Sequence, residues 1–316
     1  MSTDPSTTDP SITEEHRAGF VTILGRPNVG KSTLLNTMLG QKIAIVTPKP
    51  QTTRDRIVGI CPVDNGQLIF VDTPGVHLGG NALNRHLQQV ATNSIGDVDA
   101  ILFVIDAKAA NGKLSFGDRA VMELAMSAGK PVVGVLNKVD IASKALLLPL
   151  MATLLEAGKF ETLIPVSAVT SDGLDIVLST LRGLMPVGPA LYDPEELTDQ
   201  PTRFIVAEML REKLMLDLGQ ELPYSLAIEI TRFKERENGK MVDIDATIHV
   251  ERKSQKGIVL GRGGERLKDA ATAARIDMEA LLGQRVFLHT HVRVEANWTK
   301  SEKGLRKLGY APRRDK

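Results

Sequence analysis

A chain of 316 residues gives room for two domains, each with its own core. It carries 39 Lys and Arg against 38 Asp and Glu, and no apolar run reaches the ~18–20 residues that cross a bilayer, so it reads as globular, without a transmembrane segment. Cys61 is the single cysteine, which excludes a disulfide framework and a cysteine-ligated metal cluster, suits a reducing cytosol, and reads as a small buried residue of a predicted strand.

The near-zero net charge hides an asymmetry. Residues 201–316 hold 23 Lys and Arg against 17 Asp and Glu, a net of +6, leaving 16 against 21 (39 less 23, 38 less 17) for residues 1–200. From 251 to 316 the count is 16 against 8, which suggests an anionic partner for the second half.

In chain order, residues 1–18 are rich in Ser, Thr, Asp and Pro without apolar periodicity and are expected to form a disordered tail. Asp4, Asp9, Glu14 and Glu15, and the lack of an apolar leader, argue against a secretory signal or an Arg-rich transit peptide. The apolar run Phe20-Val21-Thr22-Ile23-Leu24 then leads into Gly25-Arg26-Pro27-Asn28-Val29-Gly30-Lys31-Ser32, and a helical pattern follows through Leu39. Strand, G-x-x-x-x-G-K-S loop and helix in that order form a phosphate-binding loop. Its backbone N–H groups, from Asn28 to Thr33, face the phosphates with the helix dipole behind them. Lys31 spans the β- and γ-phosphates, and the Ser32 hydroxyl is a ligand for Mg²⁺.

Three further elements decide which nucleotide. Asp72-Thr73-Pro74-Gly75 ends the strand Leu68-Ile69-Phe70-Val71, where Asp72 can hold Mg²⁺ through a water and the Gly75 N–H can sense the γ-phosphate. Asn137-Lys138-Val139-Asp140 ends a second apolar strand, and the Asp140 carboxylate, read as buried, can accept from N1–H and N2–H₂ of guanine. Adenine has no donor there, which disfavours an ATPase. Ser167-Ala168 follows a third strand, with the Ala168 N–H in reach of guanine O6. GTP or GDP with Mg²⁺ is therefore the expected ligand.

Strand-like runs at 20–25, 56–61, 67–72, 100–106, 131–136 and 161–166 alternate with helical patterns near 31–39, 83–93, 117–128, 142–157 and 173–184. That alternation predicts an α/β domain, a mostly parallel sheet with helices on both faces, over 19–185. Residues 186–201, with four prolines, read as a semi-rigid linker.

From 202 to 316 the pattern changes. A helix at 202–218 precedes strands at 225–234 and 240–251 joined through Asn238-Gly239, then a short helix near 254–260, the loop Gly261-Arg262-Gly263-Gly264, a helix at 265–282 and a strand at 285–296. This α+β order around a G-x-x-G loop resembles a type II KH domain. Glycines there let a sugar–phosphate backbone approach the main chain, and KH domains clamp single-stranded RNA in this way. Lys256, Arg262, Arg266 and Lys268 would add phosphate contacts. Trp298 and Tyr310 read as packing for the last helix rather than as base-stacking residues, and the six histidines show no ligand spacing.

Taken together, the phosphate loop, Gln51-Thr52-Thr53-Arg54, Asp72-Thr73-Pro74-Gly75, Asn137-Lys138-Val139-Asp140, Ser167-Ala168 and the KH-like region resemble the Era family of bacterial ribosome-assembly GTPases, from about residue 19 to 311. The resemblance implies 16S rRNA near its 3′ end and the 30S subunit as partners, a cytoplasmic monomer, and peripheral association with the membrane. It implies Thr53, with Thr52 as the alternative, as the switch threonine that reaches Mg²⁺ and the γ-phosphate, beside Lys31 and Gly75 in catalysis. It also implies K⁺ as a further cofactor, since Asn28 stands where related GTPases help hold that ion. Val76 follows Gly75 where Ras-type GTPases carry a water-orienting glutamine, so slow intrinsic hydrolysis is expected. Two alternatives are a tRNA-modification GTPase, which would want a modifying domain and a terminal cysteine, and a GTP-gated RNA- or membrane-docking protein with incidental hydrolysis.

Overall fold

The computed structural model describes residues 15–49, 52–75, 82–218, 225–237 and 239–310. Gln51, Val76, Asn238 and residues 1–14 of the expected tail lie outside them. A tail reaching residue 18 is too long, because the first strand already begins at Arg17.

The first layer system comprises β1 (Arg17–Gly25), α1 (Lys31–Leu39), β2 (Ile57–Val63), β3 (Gly66–Asp72), α2 (Ala82–Asn93), β4 (Ala100–Asp106), α3 (Ala107–Ala110), α4 (Phe116–Ser127), β5 (Val132–Asn137), α5 (Lys144–Ala157), β6 (Thr162–Pro165) and α6 (Leu174–Leu184). The sheet order is β2-β3-β1-β4-β5-β6, parallel except for β2, which pairs antiparallel with β3 through a turn whose Asn65 takes φ 46°. Helices cover both faces, so these strands are apolar runs rather than alternations; every residue of β3 is buried. Register aligns the C-terminal ends: Ile23 pairs with Asp72, Asp106 with Asn137, and Leu136 with Pro165. The phosphate loop and the motifs at Asp72, Asn137 and Ser167 therefore emerge on one edge of the sheet, where α/β folds bind ligands.

Residues 186–201 run along that sheet as an ordered strap. The Gln67 side chain accepts from the N–H of Leu191 and Tyr192 and donates to the Tyr192 carbonyl, and the Ile60 N–H donates to Leu197 at 2.9 Å.

The second layer system comprises α7 (Thr202–Asp217), β7 (Ala227–Glu235), β8 (Met241–Val250), α8 (Lys253–Leu260), α9 (Glu265–Leu282), β9 (Arg285–Val294) and α10 (Glu302–Lys307). Its three strands stand in the order β7-β8-β9, with β7 antiparallel and β9 parallel to β8. One face is covered: Val242, Ile244, Ala246 and Ile248, at alternate positions of β8, bury against Met209, Leu214, Ala274 and Met278 of α7 and α9. Trp298 and Tyr310 are buried, as their packing role predicts. Among the described residues no helix is long and apolar enough to cross a membrane.

Candidate nucleotide and nucleic-acid sites

Gly25 ends β1 without room for a side chain, since a Cβ would stand 2.5 Å from the Val104 carbonyl, and Gly30 takes φ 99° to turn the chain into α1. The resulting loop holds Lys31, whose Nζ donates to the carbonyls of Gly25 and Arg26 at 3.1 Å. Burial pushes the Lys31 pKa down, with Asp72 opposing it. A phosphate in this loop would satisfy that buried cation. The surrounding cavity, about 310 Å³, is lined by Asn28, Gly30, Lys31, Ser32, Thr33, Thr53, Gly75 and Lys138, among others.

Three elements converge on the expected metal position. Ser32 donates to Asp72 Oδ2 at 2.8 Å, Thr53 reaches the same oxygen at 3.2 Å, and the two hydroxyls lie 3.0 Å apart. Among the described residues Asp72 Oδ1 is buried with no hydrogen-bond partner, and burial pushes that carboxyl up against the pull of Lys31, Ser32, Thr53 and the Thr73 backbone. Two hydroxyls around an under-satisfied buried carboxylate fit a hard divalent cation such as Mg²⁺. Gly75 presses on the phosphate loop: a Cβ there would meet Pro27 at 2.7 Å.

At the other end of the site Asn137 acts as the knot. Its Nδ2 donates to the Val29 carbonyl at 2.9 Å, and its Oδ1 accepts from the N–H groups of Lys138 (2.8 Å) and Ala168 (3.0 Å). The Ala168 N–H expected for guanine O6 is thus already engaged with Asn137. Ser167 is buried, and its hydroxyl accepts from the Thr170 N–H at 3.2 Å. Asp140, expected to be buried, is exposed, since it stands on the loop beyond β5 rather than in the sheet edge. Asp106, not singled out from the sequence, binds Lys138 Nζ at 2.6 Å; its signal was its position as the last residue of β4, matching Asp72 and Asn137.

Residues 41–49, which precede Thr53, are tied to the first domain at two places. Asn36 of α1 takes the N–H of Ile43 and Ala44 on its Oδ1, and Asn28 donates to the Pro48 carbonyl at 2.8 Å. Their other side belongs to the second layer system. Ile45 joins that core, Glu212 accepts from the Val46 N–H at 2.8 Å and pairs with Lys42, and Lys49 donates to the carbonyls of Met215 in α7 and of Leu218 just beyond it. Arg211, fully buried and held by both oxygens of Glu208, donates to the Thr52 carbonyl.

The G-x-x-G turn joins α8 to α9. Gly261 takes φ 72°, and a Cβ there would meet that of Arg266 at 2.6 Å, while Gly263 and Gly264, also at positive φ, open onto free space. Arg262 and Lys268 are exposed and Lys256 half-buried beside it. Arg266 is engaged within the protein, its Nη1 donating to the Ile258 carbonyl at 2.8 Å and its Nε pairing with Asp217. Ile258, 45% exposed, adds an apolar surface next to the turn.

Residues 20–138 match the family of "50S ribosome-binding GTPase" domains and residues 221–299 the KH domain family. GTPase Era of Geobacter metallireducens is 45% identical over 294 residues, 93% of this chain and 98% of its own length. This chain belongs to the Era family of GTPases. GTPase Era of Geotalea uraniireducens is 46% identical over 94% of this chain and 99% of its own. Among solved structures, an Aquifex aeolicus Era variant bound to GDP·AlF4⁻ superposes with a TM-score of 0.89 at 35% identity. Era in complex with MgGDPNP and nucleotides 1506–1542 of 16S ribosomal RNA gives the same score and identity, and both cover 94% of this chain and 100% of their own.

Proposed function

We propose that this chain hydrolyses GTP to GDP and phosphate and, in a nucleotide-dependent manner, binds 16S rRNA near its 3′ end to assist maturation of the 30S subunit. One observation carries the reading: Thr53, which completes the Ser32–Thr53–Asp72 cluster suited to a metal-bound nucleotide, stands between Thr52 and Arg54, and both of these bond to residues of the second domain, Arg211 and Leu226. The GTPase domain takes residues 17–185, its start moved from the expected 19 because β1 begins at Arg17, with 186–201 as the connection and 202–316 as the KH domain.

Asn28, Val29, Gly30, Lys31, Ser32 and Thr33 receive the phosphates, and Gly75 presents its N–H to the γ-phosphate. Asn137, Lys138, Asp140, Ser167 and Ala168 shape the guanine end. For O6, the Ala168 N–H is released from, or shared with, Asn137. Mg²⁺, held by Ser32, Thr53 and Asp72, neutralises charge on the phosphates. Lys31 meets the charge that grows on the bridging and γ-oxygens as water attacks in line. None of these residues is a general base, so the intrinsic rate is slow.

Asn28 also supports K⁺ as a further cofactor: it bridges the phosphate loop to Pro48, so a cation at Asn28 would be felt by the switch segment. Equal turnover in K⁺ and Na⁺ buffers would contradict that part. Gly261, Arg262, Gly263, Gly264, Lys256 and Lys268 form the RNA clamp, with Arg266 bracing it from behind. The protein works as a cytoplasmic monomer with peripheral membrane association, as in the family reading.

The test pairs hydrolysis with binding. GTP but not ATP should be turned over, with a loss of about 10²–10³-fold in Lys31→Ala. A single strand copying the 3′ end of 16S rRNA should bind in preference to a scrambled one. Equal, steeply salt-dependent binding of both strands would reduce the second domain to a general basic surface and overturn the rRNA assignment.

A further inference from the structure

Thr53 and Arg54 are neighbours whose side chains serve different domains. Thr53 faces Asp72 and the metal site, whereas Arg54 crosses to the other domain. There the Arg54 guanidinium, 1% exposed, donates to the Leu226 carbonyl at 2.6 Å and lies 5.9 Å from the Trp298 ring and 5.6 Å from the Tyr310 ring. Those rings stack on each other, 5.5 Å apart with 19° between their planes. Both are fixed from behind: Trp298 Nε1 donates to the Ser225 carbonyl at 3.0 Å, and the Tyr310 N–H donates to the Leu305 carbonyl at 2.9 Å. The same rings share a buried cluster with Leu83 and Leu87 of α2, so this C-terminal segment packs with the helix after Asp72-Thr73-Pro74-Gly75 as well.

We propose that Trp298 and Tyr310 form an aromatic clamp on Arg54 that positions Thr53 at the metal site, making residues 298–310 a built-in positioning element for the GTP-bound state. The inference deepens the nucleotide-switch reading above. A guanidinium suits this role because it is attracted to aromatic rings while its several N–H groups still donate in a fixed fork, which a lysine ammonium cannot copy. GDP has no γ-phosphate for Thr53 to reach, so the clamp affects GTP and GDP unequally.

The sequence supplies its own probe, since Trp298 is the only tryptophan. In the full chain with Mg²⁺, a non-hydrolysable GTP analogue should change Trp298 fluorescence relative to GDP. Arg54→Met should abolish that difference. Arg54→Met and the milder Tyr310→Ala should each weaken the analogue about tenfold and leave GDP within twofold, while Arg54→Lys recovers little. Equal losses for both nucleotides, or no loss, would overturn the clamp, as would wild-type fluorescence identical in the two states. If the wild type bound neither nucleotide, the GTPase reading itself would fail, an outcome separate from these.

Discussion

The two sheets of this chain solve the same problem in opposite ways. In the first, helices bury both faces, so β3 is buried throughout and chemistry is left to the loops at one edge. In the second, a single face is covered, β8 alternates, and the candidate RNA contact lies at a turn between two helices. A doubly buried sheet tolerates little change along its strands but places many loops accurately, whereas a singly covered sheet leaves an open flank and concentrates its constraint at Gly261.

The largest contrast should be in stability. Phe70→Ala, in the doubly covered sheet, should cost about 3–5 kcal/mol by chemical denaturation, whereas Thr247→Ala on the open face of β8 should stay within about 0.5 kcal/mol. Comparable costs would erase the distinction. Next in size is Gly261→Ala. Its backbone, φ 72° and ψ −175°, is a region that glycine alone adopts readily, so a penalty of about 1–3 kcal/mol should appear as weaker RNA binding with GTP hydrolysis intact. Loss of hydrolysis in that variant would show that the two regions are not separable at this point.

The smallest effect is one of pH. Asp55, at the seam between the regions, is pushed up to about 7 by burial and by the neighbouring Glu208 carboxylate, with Arg211 and Arg54 opposing. A carboxyl raised in the folded state favours that state when protonated, so its contribution declines as pH rises from about 4 to 7 and is gone above that. Asp55→Asn should therefore flatten the fall in stability over this window. An unchanged profile in thermal melts at pH 5, 6, 7 and 8 would remove Asp55 as the cause.

The first region was legible because each motif follows an apolar strand, which places the phosphate loop, Asp72, Asn137 and Ser167 from sequence pattern alone. In the second, the glycines of the turn and the Asn238-Gly239 hairpin signal marked the order of elements. The seam was not legible. Arg211, Glu212 and Lys42 occupy helix and loop positions where local pattern says only that a charge is present, and their meaning comes from partners some 160 to 235 residues away in sequence. Asp140 and Ala168 were placed in the right loops, but the exposure of Asp140 and the bond from the Ala168 N–H to Asn137, whose knot joins three loops, were not readable from local pattern. Arg54 could be read as part of a switch, yet its aromatic partners lie at the far end of the chain.

The claim on which the rest depends is that the metal-site cluster and the G-x-x-G turn respond to each other. The most direct measurement is the affinity of the full chain for a single strand copying the 3′ end of 16S rRNA, first with a GTP analogue and Mg²⁺, then with GDP. Coupling through the seam predicts tighter binding with the analogue by about 5- to 150-fold, and by linkage an equal gain in analogue affinity when RNA is present. Identical RNA affinity in the two nucleotide states would contradict it.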